Sequence, residues 1–175
     1  AVAQLSDNDF EIFGLPCQFA LDGAALSAAY LKLQNQTHPD RFANGSAQEK
    51  RLAVQWATRI NEAYKRLQNP VERAIYWCEL QGENPRGRQS NLPQTLLMQQ
   101  MDWREQLDDV ESPSALEELI DAVTAEKKRC LRVIAENIDQ SNDAKAATHT
   151  AQALLFIDKF LLELHKKLEQ MEDAS

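Results

Sequence analysis

His38 and Asp40 flank a single proline, and Arg41-Phe42 follow at once. An imidazole and a carboxylate this close could pass a proton, orient a nucleophile, or offer a directional and charged surface to a partner. Acid–base or hydrolytic work needs a nucleophile or a second positioned group nearby. Thr37 and Ser46 are the local hydroxyls, and neither sits in a recognisable catalytic motif. The proline favours recognition: it disfavours helix at His38, so a helix should end there and a loop begin at Pro39. Polar groups held on a loop by a rigid scaffold more often serve binding or catalysis than packing.

Other chemistry is sparse. Cys17, Cys78 and Cys130 are odd in number, far apart and without a CxxC pair, which suits neither a disulfide framework nor a zinc site. They read as small apolar residues. There is no Gly-rich phosphate loop, HExxH or EF-hand spacing. His149 and His165 are isolated on helical segments and read as surface or satisfied helix histidines. No metal, cofactor or catalytic residue is expected. A net charge of −8 argues against general nucleic-acid binding, which needs basic surface. No apolar run reaches membrane-spanning length, and the opening residues lack the pattern of a secretory signal. The expectation is a soluble, cytoplasmic protein.

The elements that must position these groups repeat at helical spacing almost throughout. Asp9 to Gly14 reads as a short helix stopped by Gly14 and Pro16. Asp22 is a candidate N-cap for a helix to about Thr37, with Leu26, Ala29, Tyr30 and Leu33 on its buried face. Beyond a loop from His38 to Ser46, a helix should run from about Ala47 to Gln68, its inward stripe being Leu52, Trp56, Ile60, Ala63 and Leu67. A short helix follows over Val71 to Leu80. Gln81 to Pro93, rich in Gly, Asn, Pro, Arg and Ser, reads as a linker. It divides residues 1–80 from 94–175.

The second part predicts helices over about Gln94 to Val110, Ser114 to Ile138 and Ala144 to Glu172. Leu116, Leu119, Val123, Cys130, Ile134 and Ile138 mark one seam, and Ile157, Leu161, Leu164 and Leu168 the next. Short links imply antiparallel neighbours, hence a three-helix bundle in an all-α chain. The first 84 residues carry 8 Lys+Arg against 10 Asp+Glu, and the remainder 11 against 17, so the acidic excess belongs mainly to the bundle.

The helix from Gln94 is more apolar than one buried face requires. Leu96, Trp103, Leu107 and Val110 cluster on a side assigned to the core. Leu97, Met98 and Met101 fall on another, joined by Glu105 and flanked by Asp102 and Asp109; Phe156 sits beside the main seam of the last helix. An apolar stripe rimmed with acids suits a binding patch, and methionines adapt to a partner's shape. Extra core contact is an equal alternative from periodicity alone.

Phe13-Gly14-Leu15-Pro16, His38-Pro39-Asp40-Arg41-Phe42 and Ile60-Asn61-Glu62-Ala63-Tyr64, in this order, resemble a J-domain. Leu67, Pro70, Arg73-Ala74, Tyr76, Leu97-Met98, Arg104-Glu105, Leu107 and Phe156-Ile157-Asp158-Lys159 extend the likeness over the whole chain. They make it similar to the HscB-type co-chaperones of iron–sulfur cluster assembly.

The resemblance implies that His38, Pro39 and Asp40 dock on an ATP-bound heat-shock chaperone, HscA, and accelerate its ATP hydrolysis. Lys32, Arg41, Arg51 and Arg59 would supply complementary charge, although Lys32 is the only cation in the helix before the turn. It also implies that the bundle carries the scaffold protein IscU through Leu97, Met98, Met101, Asp102, Glu105, Asp109 and Phe156. Two other readings are a J-domain co-chaperone for a different client and, more remotely, a small α-helical hydrolase.

Overall fold

The computed structural model describes residues 3–87 and 92–174, so the part of the expected linker at 88–91 lies outside the described residues. Among them there are seven α-helices and no strand. They run α1 Asp9–Ile12, α2 Gly23–Thr37, α3 Ala47–Gln68, α4 Pro70–Leu80, α5 Gln94–Asp109, α6 Pro113–Ala135 and α7 Ala144–Asp173. A 3-10 turn, Pro39–Phe42, joins α2 to α3, and a π-helical turn, Glu136–Gln140, ends α6. The loop expected between His38 and Ser46 therefore contains an ordered turn.

Local chemistry explains most helix starts. Asp22 accepts hydrogen bonds from the Ala24 and Ala25 N–H groups. Ser46 and Glu49 form a reciprocal capping box, and Asn69 accepts from Val71 and Glu72. Ser112 caps α6 with Pro113 in its first turn, and Asp143 caps α7. Each such cap contributes about 1 kcal/mol by satisfying an otherwise orphaned N–H. Gly14, after α1, adopts φ +64°, a left-handed conformation that suits glycine.

The chain forms two compact units, Ala1–Trp77 and Cys78–Ser175, the division falling within α4. In the first, α2 and α3 pair as a hairpin and α1 packs on α3. Phe10, Ile12, Phe13, Leu26, Ile60, Ala63, Leu67 and Tyr76 form its core. Tyr30 and Tyr64 stack with centroids 4.1 Å apart, and the Tyr30 hydroxyl donates to Asn61 Oδ1 at 2.7 Å. These contacts fix the hairpin close to the His38–Asp40 turn.

Leu52 departs from the expected stripe: it is 46% exposed, and Ala53 takes the buried place. Steps of seven nearly close two helical turns, so Ala53, Ile60 and Leu67 share one line. Leu52 lies about 80° off it.

In the second unit α6 and α7 pack together over much of their lengths, and α5 lies against them. The seam residues named from periodicity are all buried, but α6 stops at Ala135 rather than Ile138, and Ile138 lies on the π-helical turn that follows. On α7, Leu154 and Phe160 are fully buried, whereas Leu161 and Leu168 are only half-buried. The stack of Trp103, Phe156 and Phe160 draws Phe160 inward, with centroids 5.6–6.1 Å apart.

Candidate functional site

Helix α2 ends at Thr37, and His38 takes the extended conformation that the following proline demands (φ −58°, ψ 133°). Its Nδ1 accepts the Asp40 backbone N–H at 3.2 Å, capping the 3-10 turn. With Nδ1 engaged as an acceptor, Nε2 is the ring nitrogen left to face a partner. The Asp40 side chain is 93% exposed, and its Oδ2 lies 3.6 Å from His38 Nδ1. A cleft of about 360 Å³ runs beside the tripeptide, bounded by Gln34, Thr37, Ala57, Ile60 and Asn61. The turn is thus a rigid mount for a solvent-facing carboxylate.

The four cations expected around it separate. Lys32, Arg41 and Arg51 are exposed, and Arg41 Nη1 donates to the Asn35 carbonyl at 3.0 Å, tying the turn to the last part of α2. Arg59, the fourth, is engaged inside the first unit. Its Nη1 lies 2.8 Å from Asp9 Oδ1, and its Nη2 donates to the Asp7 carbonyl at 2.8 Å. Asp9 is fully buried, and Arg66 Nε stands 3.2 Å from its other oxygen. These are charge pairs rather than aligned hydrogen bonds. Arg66 also lies over the Tyr76 ring, whose hydroxyl accepts the Asp9 N–H at 2.9 Å. A buried carboxylate needs such cations more than a docking face does.

In the second unit, Leu97, Met98, Met101, Asp102, Glu105 and Phe156 line one shallow hollow of about 920 Å³. Leu97, Met98 and Met101 are 42%, 61% and 72% exposed, so this stripe is not core within its unit. Phe156 is half-buried, stacked on Trp103 and Phe160, which presents its remaining surface rigidly.

Asp109 is not part of the hollow; Asp108 is. From Met101, Asp108 is about 20° round the helix and Asp109 about 80°, so a count by sevens favours Asp108. Asp109 instead borders a separate depression with Val110, Ala115 and Leu119. Gln100 and Arg104 also join the lining. Arg104 donates both Nη groups to Glu163 at 2.6 and 2.9 Å, and lies over the Phe160 ring. That bidentate bond raises the Arg104 pKa and lowers that of Glu163. Nothing local in the sequence signals a partner 59 residues away.

The comparisons with known proteins agree in direction. Residues 92–165 match the family model described as the HSCB C-terminal oligomerisation domain. A Burkholderia multivorans protein named co-chaperone protein HscB homolog is 40% identical, with 98% of this chain and 99% of the relative aligned. The chain belongs to the HscB co-chaperone family. Chaperone HscB from Vibrio cholerae shares the structure with a TM-score of 0.79 at 37% identity, covering 94% of this chain and 99% of that one. Human HscB gives a TM-score of 0.86 at 25% identity, covering 95% and 84%. In this all-helical HscB fold the His38-Pro39-Asp40 turn belongs to the J-domain, and a helical domain follows it. As an HscB protein the chain is a J-domain co-chaperone of iron–sulfur cluster assembly.

Among the described residues no group of His, Cys, Asp and Glu is placed to hold a metal ion, and no helix is long and apolar enough to cross a membrane. His149 and His165 are exposed. The free thiols differ sharply: Cys17 is exposed, and Cys78 and Cys130 are buried. Burial, and then Glu126, push the Cys130 thiol up to about 11. Burial raises Cys17 as well, with Glu11 adding to it. Because the thiolate is the reactive form, a disulfide reagent at pH 8 should modify Cys17 alone in the folded protein. Mass spectrometry of the native and urea-unfolded chain reads this directly; rapid native labelling of Cys130 would contradict its burial.

Proposed function

We propose that this HscB-family protein docks its Pro39–Phe42 turn on the ATP-bound chaperone HscA and stimulates ATP hydrolysis. In the same reading its α5/α7 face delivers the scaffold protein IscU to that chaperone. It works in the cytoplasm, without a cofactor and without catalytic activity of its own. Residues 1–80 serve as the chaperone-binding part, 81–93 as a linker and 94–175 as the scaffold-binding part.

The observation carrying this reading is the Asp40 carboxylate, almost wholly exposed on a turn whose backbone is already satisfied. A carboxylate so presented suits an arginine on another protein, where a charge-assisted and often bidentate bond can form. Pro39 limits the loop's freedom before docking, so less entropy is lost on contact. Lys32, Arg41 and Arg51 remain to attract an acidic surface.

The second face supports the delivery half. An exposed stripe of Leu97, Met98 and Met101 is costly in water unless something covers it part of the time. Its rim of Asp102, Glu105 and Asp108 favours a partner that brings cations, with a salt-dependent association rate. The α5/α7 contact set proposed here is Leu97, Met98, Met101, Asp102, Glu105 and Phe156, with Asp108 in place of Asp109.

The test is the ATPase activity of HscA with this protein and IscU, each alone and together. Stimulation by this protein, increased further by IscU, is the expected pattern. Leu97→Ala combined with Phe156→Ala should weaken IscU binding fivefold or more, since truncating a large interface anchor costs about 1 kcal/mol or more. Stimulation of HscA without IscU should survive in this variant. Calorimetry showing wild-type affinity would remove the α5/α7 face from the proposal.

A further inference from the structure

Beside the Pro39–Phe42 turn lies another hollow, of about 190 Å³, which the docking role just described does not use. Thr37, Phe42, Leu52, Ala53 and Trp56 line it, with Glu49. Leu52 is 46% exposed, and Phe42 and Trp56 are half-buried. One exposed leucine is unremarkable on a soluble protein. Three large apolar side chains around one depression next to a recognition turn call for an occupant.

The Thr37 hydroxyl and Glu49 Oε1 in its wall are already engaged. The Thr37 hydroxyl donates to the Leu33 carbonyl at 2.8 Å. Glu49 accepts from the Ser46 N–H at 3.3 Å and from its hydroxyl at 3.2 Å, closing the α3 capping box. Neither needs a ligand, so the hollow selects for apolar surface.

Its position indicates whose surface that is. Thr37 borders both this hollow and the cleft beside His38 and Asp40. Phe42 closes the same 3-10 turn that carries Asp40. The turn that carries Asp40 thus also borders this hollow, which makes the protein that engages Asp40 the nearest candidate occupant.

We propose that the Phe42/Leu52/Trp56 hollow seats an apolar side chain of the ATP-bound chaperone, next to the cation that meets Asp40. The inference rests on the docking role above and deepens it. A carboxylate in water is screened by salt and contributes little by itself, whereas a filled apolar pocket beside it excludes water and anchors the complex. The filled hollow then shields the Asp40 contact from water and adds apolar burial of its own to the complex.

The experiment is a single-turnover ATPase titration of HscA with the full-length protein. Leu52→Asp should raise the concentration for half-maximal stimulation about tenfold, the effect of losing one hot-spot side chain, while saturating stimulation is kept. Leu52→Ser is the milder companion, and circular dichroism checks that both remain helical. Val54→Asp is the control: Val54 is 54% exposed on the same helix but lies about 200° round from Leu52 and outside the hollow. It should leave the titration unchanged.

Wild-type titrations for both Leu52 variants, or equal shifts for Leu52→Asp and Val54→Asp, would overturn the proposal while leaving docking by the turn intact. Failure of the unmodified protein to stimulate HscA would remove the docking role itself, and this hollow's occupant with it.

Discussion

Asp40→Ala should abolish stimulation of HscA while leaving IscU affinity at the wild-type value. The side chain is 93% exposed, so its removal opens no cavity and unsatisfies no buried group. The turn should persist, because its cap is the bond from the Asp40 backbone N–H to His38 Nδ1, which alanine retains. What disappears is the carboxylate offered to the chaperone. Truncating one partner of a charge pair that becomes desolvated on binding costs about 2–5 kcal/mol, a loss of roughly thirtyfold to several thousandfold. Asp40→Asn, which keeps the shape and removes the charge, should lose nearly as much. A single-turnover ATPase assay reads the first effect, and calorimetry with IscU reads the second. Full stimulation by either variant would show that the turn acts without this carboxylate.

Asp9→Ala is expected to destabilise the first unit by about 3 kcal/mol, through a mechanism unrelated to docking. The Asp9 side chain is fully buried between Arg59 and Arg66, which are themselves 20% and 35% exposed. Breaking a buried pair costs about 3–5 kcal/mol, because a charge is left without its partner. The arginines retain part of their hydration, which places the cost at the lower end. For a unit of this size about 3 kcal/mol lowers the melting temperature by at least 12 °C or so.

Thermal unfolding followed by circular dichroism measures the loss. A double-mutant cycle with Arg59→Ala should show strong non-additivity, since each single change orphans the other group. An unchanged melting temperature in Asp9→Ala would mean that the network contributes nothing net, and would return Arg59 to the pool of cations available for docking.

Much of this architecture is legible in the chain because the signals are local. Asp22, Ser46, Ser112 and Asp143 each accept backbone N–H groups within three residues, so the helix starts they mark need no distant partner. Pro39 acts on His38 directly through backbone sterics and ends α2. The all-α class and the HscB likeness follow from such signals and from motif order. The apolar second stripe on α5 is visible from helical periodicity as well, and its exposure within the unit agrees with that reading.

Errors arise where the outcome depends on what lies across from a residue. Leu52 and Ala53 differ by one helical step, and helix packing rather than hydrophobicity decides which is buried. Asp108 lines the hollow and Asp109 lies outside it by the same one-step margin, because direction from Met101, not distance along the chain, decides which acid rims it. Phe160 is buried in preference to Leu161 because Trp103, from another helix, stacks on it.

By itself the sequence determined the all-α class, most of the helix starts, the end of α2 at the proline that separates His38 from Asp40, and the family. These depend on steric and hydrogen-bonding rules that operate over a few residues, or on motifs carried whole. Only the tertiary structure decided that Arg59 serves Asp9, 50 residues earlier in the chain, and that Phe42, Leu52 and Trp56 surround one hollow. Charge pairing and cavity shape depend on distances across space, and folding alone brings those groups together.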